Sequence, residues 1–191
     1  MSSDFDEIAS TVPLAGVRGM IASKMRSSLS ESAQLTYHAD VDASALIEKR
    51  RLLNEAPKEA VGVEDLIIHV LAKVLKAHPM LNGTVKNGAA QLLATVNMSV
   101  AMDLESGLVA PAIFDTGSQT VQEISRRRRA LLERAKKGKL TVKEMTGGSF
   151  TLSNLGLTRV THFTPILNAP QIAMLGVGRI EKSPKIGADG T

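Results

Sequence analysis

Residues 63–79, VEDLIIHVLAKVLKAHP, limit the possible folds of this chain more than any other segment. Their apolar residues recur at helical spacing, and this periodicity predicts a helix that Pro79 ends. The predicted apolar face is broad and is made by Leu66, Ile67, Val70, Leu71, Val74 and Leu75. A helix with such a face is stable when another apolar layer covers it, so the rest of the chain must supply that layer.

Strand patterns elsewhere in the chain predict that this layer is a sheet. Apolar and polar residues alternate over residues 35–42, which is typical of a half-buried strand. The segment KNG, residues 86–88, predicts a hairpin turn between two short strands. Two further strands, joined by the segment ESG, are predicted over residues 96–104 and 107–113.

The remaining patterns alternate between helices and strands. They predict helices over residues 17–29, 43–56, 121–137 and 142–145, a strand over residues 149–152, and a buried strand over residues 171–182. Because some strands meet through tight turns, the sequence favours an α/β chain of the α+β two-layer type. This is a mixed sheet with helices on one face, in contrast to a doubly wound fold. The length of 191 residues suits one domain, residues 11–191, after a flexible lead-in, residues 1–10.

The residue types that the chain lacks exclude several classes of function. Without cysteine it has no disulfide, no thiolate zinc site and no cysteine nucleophile. Aromatic residues make up only 3%, which argues against binding of single-stranded nucleic acid through base stacking. No apolar run approaches the roughly 18 residues of a membrane span, and the acidic, polar start differs from a signal peptide. We therefore expect a cytoplasmic protein that binds neither a membrane nor nucleic acid.

The segment RRRR, residues 126–129, is the densest cluster of positive charge. Apolar residues at Val121, Ile124, Leu131 and Leu132 punctuate the same helix, so the arginines are predicted to lie mostly on its outer face. A charge run of this kind usually keeps a helix in water, and specific nucleic-acid binding is disfavoured. A site for an anionic ligand, such as a nucleotide phosphate, stays open.

The four histidines do not have the pattern of a metal site. His38, His69, His78 and His162 lie on different predicted elements, without the i, i+4 spacing or the carboxylate neighbours of a zinc site. Each is interpreted as a packed or capping residue. No metal is expected.

The segment GGSFTLSNLG, residues 147–156, ends a predicted strand in the polar pair Ser153 and Asn154. The glycines on either side allow another backbone or a ligand to come close. Two interpretations follow from the residues alone. The strand either reaches the surface at this point, or it directs the hydroxyl of Ser153 toward a reacting group.

Four blocks of sequence carry a more specific signal. They are VPLAGVRGMIASKMRSSLSESAQLTYHADVD, HPMLNGTV, VAMDLESGLVAPAIFDT and GGSFTLSNLGLTRVTHFTPILNAPQIAMLGVGRIEKSP. In order and spacing they resemble the catalytic domain of the 2-oxo acid dehydrogenase acyltransferases, the dihydrolipoamide acyltransferase or E2 components. The last block is the most specific, with its Ser-Asn-Leu-Gly turn and Phe-Thr-Pro-Ile loop. The resemblance covers residues 12–185, nearly the whole chain.

The resemblance implies a chloramphenicol-acetyltransferase-like fold that works as a homotrimer within a larger core, with active sites between subunits. It implies transfer of an acyl group between coenzyme A, as a substrate, and a lipoyl group carried on a separate domain. The E1 and E3 components of the complex are the implied protein partners. In the family the serine of this turn stabilises the oxyanion, a role that falls on Ser153, and the glycines would let the two substrate arms approach. The arginine of Gly-Val-Arg, here Arg18, supports the catalytic histidine motif.

One part of the family pattern is missing from the printed sequence. The family's base is a histidine in an Asp-His-Arg-x-x-Asp-Gly motif, and the 191 residues contain no such motif. None of the four histidines takes its place, so we expect the chain as given to be inactive by itself. An incomplete acyltransferase chain is one hypothesis, and a non-catalytic E2-like scaffold is the alternative. The acyl group, whether acetyl, succinyl or branched-chain, stays open.

Overall fold

The computed structural model describes residues 9–55, 60–105 and 107–184. Within these ranges the chain forms five α-helices, which are α1 (Gly16–Glu31), α2 (Ser44–Leu53), α3 (Val63–Ala77), α4 (Val121–Lys136) and α5 (Val142–Thr146). The predicted helices are confirmed to within a few residues at each end. The predicted lead-in, residues 1–10, falls mostly outside the described residues, and the single domain over residues 11–191 stays a prediction.

Eight short strands in the described ranges form one larger sheet and two hairpins. They are β1 (Gly83–Lys86), β2 (Ala89–Leu92), β3 (Met98–Val100), β4 (Met102–Leu104), β5 (Gly107–Val109), β6 (Ala112–Ile113), β7 (Phe150–Asn154) and β8 (Met174–Val177). The larger sheet has the order β6-β3-β7-β8. It is mixed, because β3 pairs antiparallel with β6 and parallel with β7, which in turn pairs parallel with β8.

The two hairpins confirm the predicted turns. Strand β1 pairs antiparallel with β2, and β4 with β5. Asn87 and Gly88 connect β1 to β2 with φ angles of 51° and 74°. Two successive positive φ angles are typical of the type I′ turn, which Asn-Gly favours.

The core lies between the larger sheet and the helices α3 and α4. Ile68 from α3, Ile124 from α4, and Met98 and Leu152 from the sheet are all 0% exposed and belong to one cluster. Burial of each such side chain contributes about 1.5–3 kcal/mol. Together these contacts confirm the mixed sheet with helices packed on one face.

The predicted apolar face of α3 is confirmed in part, since Leu66 and Leu75 are buried and Ile67 and Leu71 pack against the core. Ile68 and Ala72 are completely buried, whereas Val70 and Val74 are 53% and 42% exposed. The helix is apolar over most of its circumference, so periodicity could not fix which side faces inward. The packing of α3 within the core cluster, which includes Ile68 and Ala72, decides this.

The strand predicted over residues 35–42 is wrong for the single chain. These residues form no ladder, and Leu35, Tyr37 and Val41 are 75%, 86% and 84% exposed. The alternating pattern is real, but a strand needs a partner for its backbone groups. The described part of this chain supplies none at that place.

Strands β7 and β8 also differ from their predicted lengths. Strand β7 continues through Ser153 and Asn154, because β8 pairs with both of them, Ser153 opposite Gly176 and Asn154 opposite Val177. Strand β8 is shorter than residues 171–182 and is half-buried, where a buried strand was predicted. Its position at the edge of the sheet explains the partial exposure.

Candidate active site

Ser153 lies near the carboxyl end of the central strand β7, on the sheet face opposite α3 and α4. Successive side chains on a strand point to opposite faces, so Leu152 enters the helix-side core while Thr151 and Ser153 face the other way. Opposite Ser153 stands Gly176, whose missing side chain leaves room for another group. A Cβ placed there would be 3.0 Å from the ring of Phe163 and 3.2 Å from Pro165. The FTP segment of the sequence therefore borders Ser153 on this face.

The hydroxyl of Ser153 is available to a ligand. Ser153 is half-buried, and within the described ranges it forms no side-chain hydrogen bond. By contrast, the hydroxyl of Thr151 donates to Gln171 Oε1 at 2.5 Å. A donor that the protein itself leaves unused, held on a paired strand, has the properties of an oxyanion donor.

A polar chain on the same face ties helix α1 to the sheet. Asn168 donates from Nδ2 to Thr151 Oγ1 at 3.1 Å and accepts from Lys24 Nζ at 2.6 Å. Burial lowers the pKa of the Lys24 ammonium. Lys24, Asn168 and Gln171 line a cleft of about 200 Å³, which Ser153 does not line. Asn168 and Gln171 thus hold the hydroxyl of Thr151, two residues before Ser153 on the same face.

Asn154 points to the helix side and joins a network of charged groups. Its Nδ2 donates to Glu64 Oε1 at 3.3 Å, and its Oδ1 accepts from the backbone N–H of Gly156 at 2.8 Å. Arg128 of α4 lies 3.1 Å from Glu64 Oε2 and 2.5 Å from Asp65 Oδ1. Burial raises the pKa of the Glu64 carboxyl, although the charge of Arg128 opposes this effect.

Arg128 corrects the prediction for the RRRR segment. It was placed with the other arginines on an outer helix face, yet its side chain is only 20% exposed and pairs with two carboxylates. Sequence reasoning missed this network, since Asp65 and Arg128 are 63 positions apart. The only local signal of this network in the sequence was the acidic start of α3. There Asp65 Oδ2 accepts a hydrogen bond from the backbone N–H of Gly62 in the first turn.

The glycines around the strand are explained by contacts within the protein. A Cβ on Gly147 would be 2.7 Å from the ring of Phe114, and one on Gly148 would be 2.9 Å from Gln171 Nε2. A Cβ on Gly156 would be 2.8 Å from Asn154 Oδ1. Each glycine therefore makes room for atoms of this chain, and the substrate arms are not needed to explain them.

Arg18, the other predicted site residue, lies apart from this constellation. It occupies the first turn of α1 and is exposed. Within the described residues it forms no hydrogen bond or ion pair, either with Ser153 or with any acidic side chain. The structure therefore does not bring the two predicted site residues into contact.

Two of the four histidines occupy the packed or capping positions that were predicted for them. His69 on α3 contacts Gln119 O through Nδ1 at 3.1 Å, and burial, followed by the charge of Lys73, lowers its pKa. His78 is the residue after the end of α3. Each of these two residues thus has a packing or capping position.

The other two histidines meet, which the sequence did not predict. The rings of His38 and His162 are 5.7 Å apart at 78°, and His162 Nε2 lies 3.2 Å from Asp40 Oδ1. The described residues contain no group of three or more histidine, cysteine or acidic side chains able to hold a metal ion. They also contain no helix with the length and apolar character that crossing a membrane requires.

Comparison with known proteins agrees with the resemblance seen in the sequence. The family model described as 2-oxoacid dehydrogenases acyltransferase (catalytic domain) matches residues 7–191. The dihydrolipoyllysine-residue acetyltransferase component of the acetoin cleaving system of Bacillus subtilis is 32% identical, over 94% of this chain and 46% of its own length. The mitochondrial pyruvate dehydrogenase protein X component of Mus musculus is 35% identical, over 93% of this chain and 35% of its own length. The chain thus spans less than half the length of these relatives.

Solved structures give the same result. The dihydrolipoamide acetyltransferase of Azotobacter vinelandii, studied for the role of a serine, a histidine and an asparagine in its catalytic mechanism, matches with a TM-score of 0.88 and 28% identity. The match covers 95% of this chain and 76% of that one. The cubic core of the pyruvate dehydrogenase multienzyme complex matches with a TM-score of 0.88 and 27% identity, over 96% of this chain and 77% of that one. The fold expected from the resemblance is therefore confirmed, and the chain belongs to the 2-oxoacid dehydrogenase acyltransferase family, as a catalytic domain.

Proposed function

We propose that the protein carrying this chain moves an acyl group between dihydrolipoamide and coenzyme A, as the core component of a 2-oxo acid dehydrogenase complex. Family membership supports the reaction class. The observation that carries the proposal is the unused hydroxyl of Ser153 at the end of β7. It also favours a catalytic protein over the alternative of a scaffold, since a scaffold has no use for a free donor there.

The chemistry of acyl transfer explains why such a donor matters. A thiolate attacks the carbonyl carbon of the thioester, and the carbonyl oxygen becomes an oxyanion as the new carbon–sulfur bond forms. The oxyanion then collapses, and the bond to the second sulfur breaks. That sulfur leaves as a thiolate and takes up the proton that the general base removed from the attacking thiol. Ser153 would donate its hydroxyl proton in a hydrogen bond to the oxyanion, and such a donor contributes about 3 kcal/mol.

The attacking thiol also has to lose its proton to a general base. The resemblance assigns this step to a histidine in a motif that residues 1–191 do not contain, and we assign it to none of the four histidines present. The Azotobacter vinelandii enzyme, studied for the role of a serine and a histidine in its catalytic mechanism, supports this division of roles. Arg18 is proposed to support the histidine motif from α1.

We further propose the assembly and partners of the family. The chain would form homotrimers within a larger core, in line with the match to a cubic core. Coenzyme A would be a free substrate, and the lipoyl group would arrive on a separate domain. The E1 and E3 components would be the other partners, in the cytoplasm.

The test is Ser153→Ala in the full-length protein, assayed between acetyl-CoA and dihydrolipoamide. We expect kcat to fall about 10²- to 10³-fold with little change in the KM for coenzyme A, because the hydroxyl stabilises the transition state alone. Ser153→Thr keeps the hydroxyl and should retain part of the activity. If Ser153 only caps the strand, Ser153→Ala instead lowers the melting temperature and leaves kcat nearly intact, which would refute the assignment.

A further inference from the structure

The side chain of Asn154 connects the turn that follows Ser153 to helix α3. Its Oδ1 holds the backbone N–H of Gly156 at 2.8 Å, while its Nδ2 is held by Glu64 Oε1 at 3.3 Å. Both ends of the amide are thus occupied, and its orientation is fixed. Because Asn154 is the next residue along β7, any rotation of its backbone also moves Ser153.

The other end of this connection is a partly buried ion pair. Arg128 bridges Glu64 and Asp65, and the side chains of these three residues are 20%, 18% and 0% exposed. Asp65 is in turn anchored to the backbone N–H of Gly62 at 2.8 Å. The carboxylate of Glu64 therefore cannot rotate freely, and neither can the amide that it holds.

The network does not account for the packing of α3 against α4. Aliphatic side chains, such as Ile68 and Leu131, already join these helices within the main core. A buried ion pair adds little net stability, because removal of its charges from water offsets their attraction. Such a pair instead fixes the positions of its side chains. Here Glu64 passes this constraint, through Asn154, to the turn beside Ser153.

We propose that Glu64 and Arg128 are positioning residues for acyl transfer, which orient the hydroxyl of Ser153 through Asn154. This inference rests on the proposed function. Ser153 and Asn154 are neighbours in sequence but face opposite sides of the sheet. Residues of α3 and α4 therefore orient the Ser153 hydroxyl without contacting it. A displacement of about 1 Å at a reacting centre can cost 10²-fold in rate.

The decisive variant is Glu64→Ala in the full-length protein. It removes the partner of Asn154 but leaves Arg128 paired with Asp65. We expect kcat to fall about 10- to 100-fold while the KM for coenzyme A changes less than about twofold. Glu64→Gln restores an acceptor for Asn154 and should recover much of the lost kcat. Glu133→Ala removes an exposed carboxylate from α4, outside the network, and should leave kcat unchanged.

A second readout does not depend on activity. Hydrogen exchange, followed by mass spectrometry, reports on the N–H of Gly156, which Asn154 protects. In Glu64→Ala, residues 153–157 should exchange faster while β3 remains protected. Unchanged exchange at Gly156, or faster exchange with an intact kcat, would overturn the positioning role.

The double variant Ser153→Ala/Glu64→Ala separates this inference from the proposed function. If Glu64 acts through Ser153, the second substitution should add little to the loss caused by the first. Two independent, multiplying losses would contradict the inference. A parent protein without acyl transfer would instead refute the proposed function, and the exchange at Gly156 would still decide whether Glu64 holds the turn.

Discussion

Gly148→Ala should destabilise the fold through one buried contact. A Cβ on Gly148 would come nearer than 3.0 Å to Ser99 Oγ, and it would lie 2.9 Å from Gln171 Nε2 and 3.1 Å from Ser99 Cβ. Real Cβ atoms essentially never show separations under 3.0 Å. Ser99 is 1% exposed and sits on β3, between β6 and β7, so neither its backbone nor its Cβ can retreat.

The expected cost follows from this confinement. Overpacking of a well-packed core costs about 1–3 kcal/mol. For a domain of this size, 1 kcal/mol corresponds to about 2–4 °C in melting temperature. We therefore expect Gly148→Ala to lower the melting temperature by about 2–12 °C, as measured by differential scanning calorimetry of the full-length protein.

Ser99→Ala provides the matched control. The Ser99 hydroxyl is buried and has no hydrogen-bond partner among the described residues, so its removal alone should be neutral or slightly stabilising. In the double variant the worst contact of the new Cβ disappears, and at least half of the lost stability should return. The reasoning is refuted if Gly148→Ala has the same melting temperature as the parent protein, or if the double variant is no more stable than Gly148→Ala.

Two further predictions concern pH and assembly. Burial lowers the pKa of His69 below its ordinary 6.5, so neutral His69 contributes stability that is fully present above pH 6.5 and is lost as pH falls through the lowered pKa. In urea unfolding between about pH 5 and 8, His69→Asn should weaken the pH dependence of stability, and parallel curves would contradict this role. The exposed apolar side chains of Leu35, Tyr37 and Val41 require cover, so light scattering should find trimers or trimer-based assemblies, and a stable monomer at micromolar concentration would argue against this.

Local signals predicted the local elements well. The Asn-Gly pair places the β1–β2 hairpin because few other residue pairs adopt two positive φ angles. Thr120 begins α4 with a capping box, in which its hydroxyl accepts from the backbone N–H of Glu123. Such features depend on neighbours in sequence, so they can be inferred without the fold.

Features that depend on distant partners could not be inferred in the same way. The alternation over residues 35–42 has the pattern of a strand, but no strand forms there, because the described part of the chain supplies no partner to pair with it. Strand β7 includes Ser153 and Asn154 only because β8, more than twenty positions later, pairs with them. The Arg128 network has the same origin, since its members come from α3, α4 and β7.

The resemblance named Ser153, but not the residues that hold it. Its motif includes the serine turn, and the structure adds that the hydroxyl is unused and faces the FTP segment. Glu64 and Arg128 lie outside the motif, and Arg128 belongs to the segment whose arginines were predicted to lie mostly on an outer helix face. Electrostatic partners of this kind become visible only once the helices are docked on the sheet.

The alternation of side chains along β7 has a consequence for how this domain can diverge. Ser153 and Asn154 are consecutive residues that face opposite sides of the sheet, and under the proposed function Ser153 faces the side where the substrate would bind. If the proposed roles of Glu64 and Ser153 are correct, substitutions on α3 and α4 would change the rate of acyl transfer without altering the surface that a substrate would meet. Substitutions at Phe163 or Pro165, which border the Ser153 face, would instead change that surface and leave the helix layer the same. Under the proposed function, the rate and the substrate selectivity of the domain would therefore respond to substitutions on opposite faces of one strand.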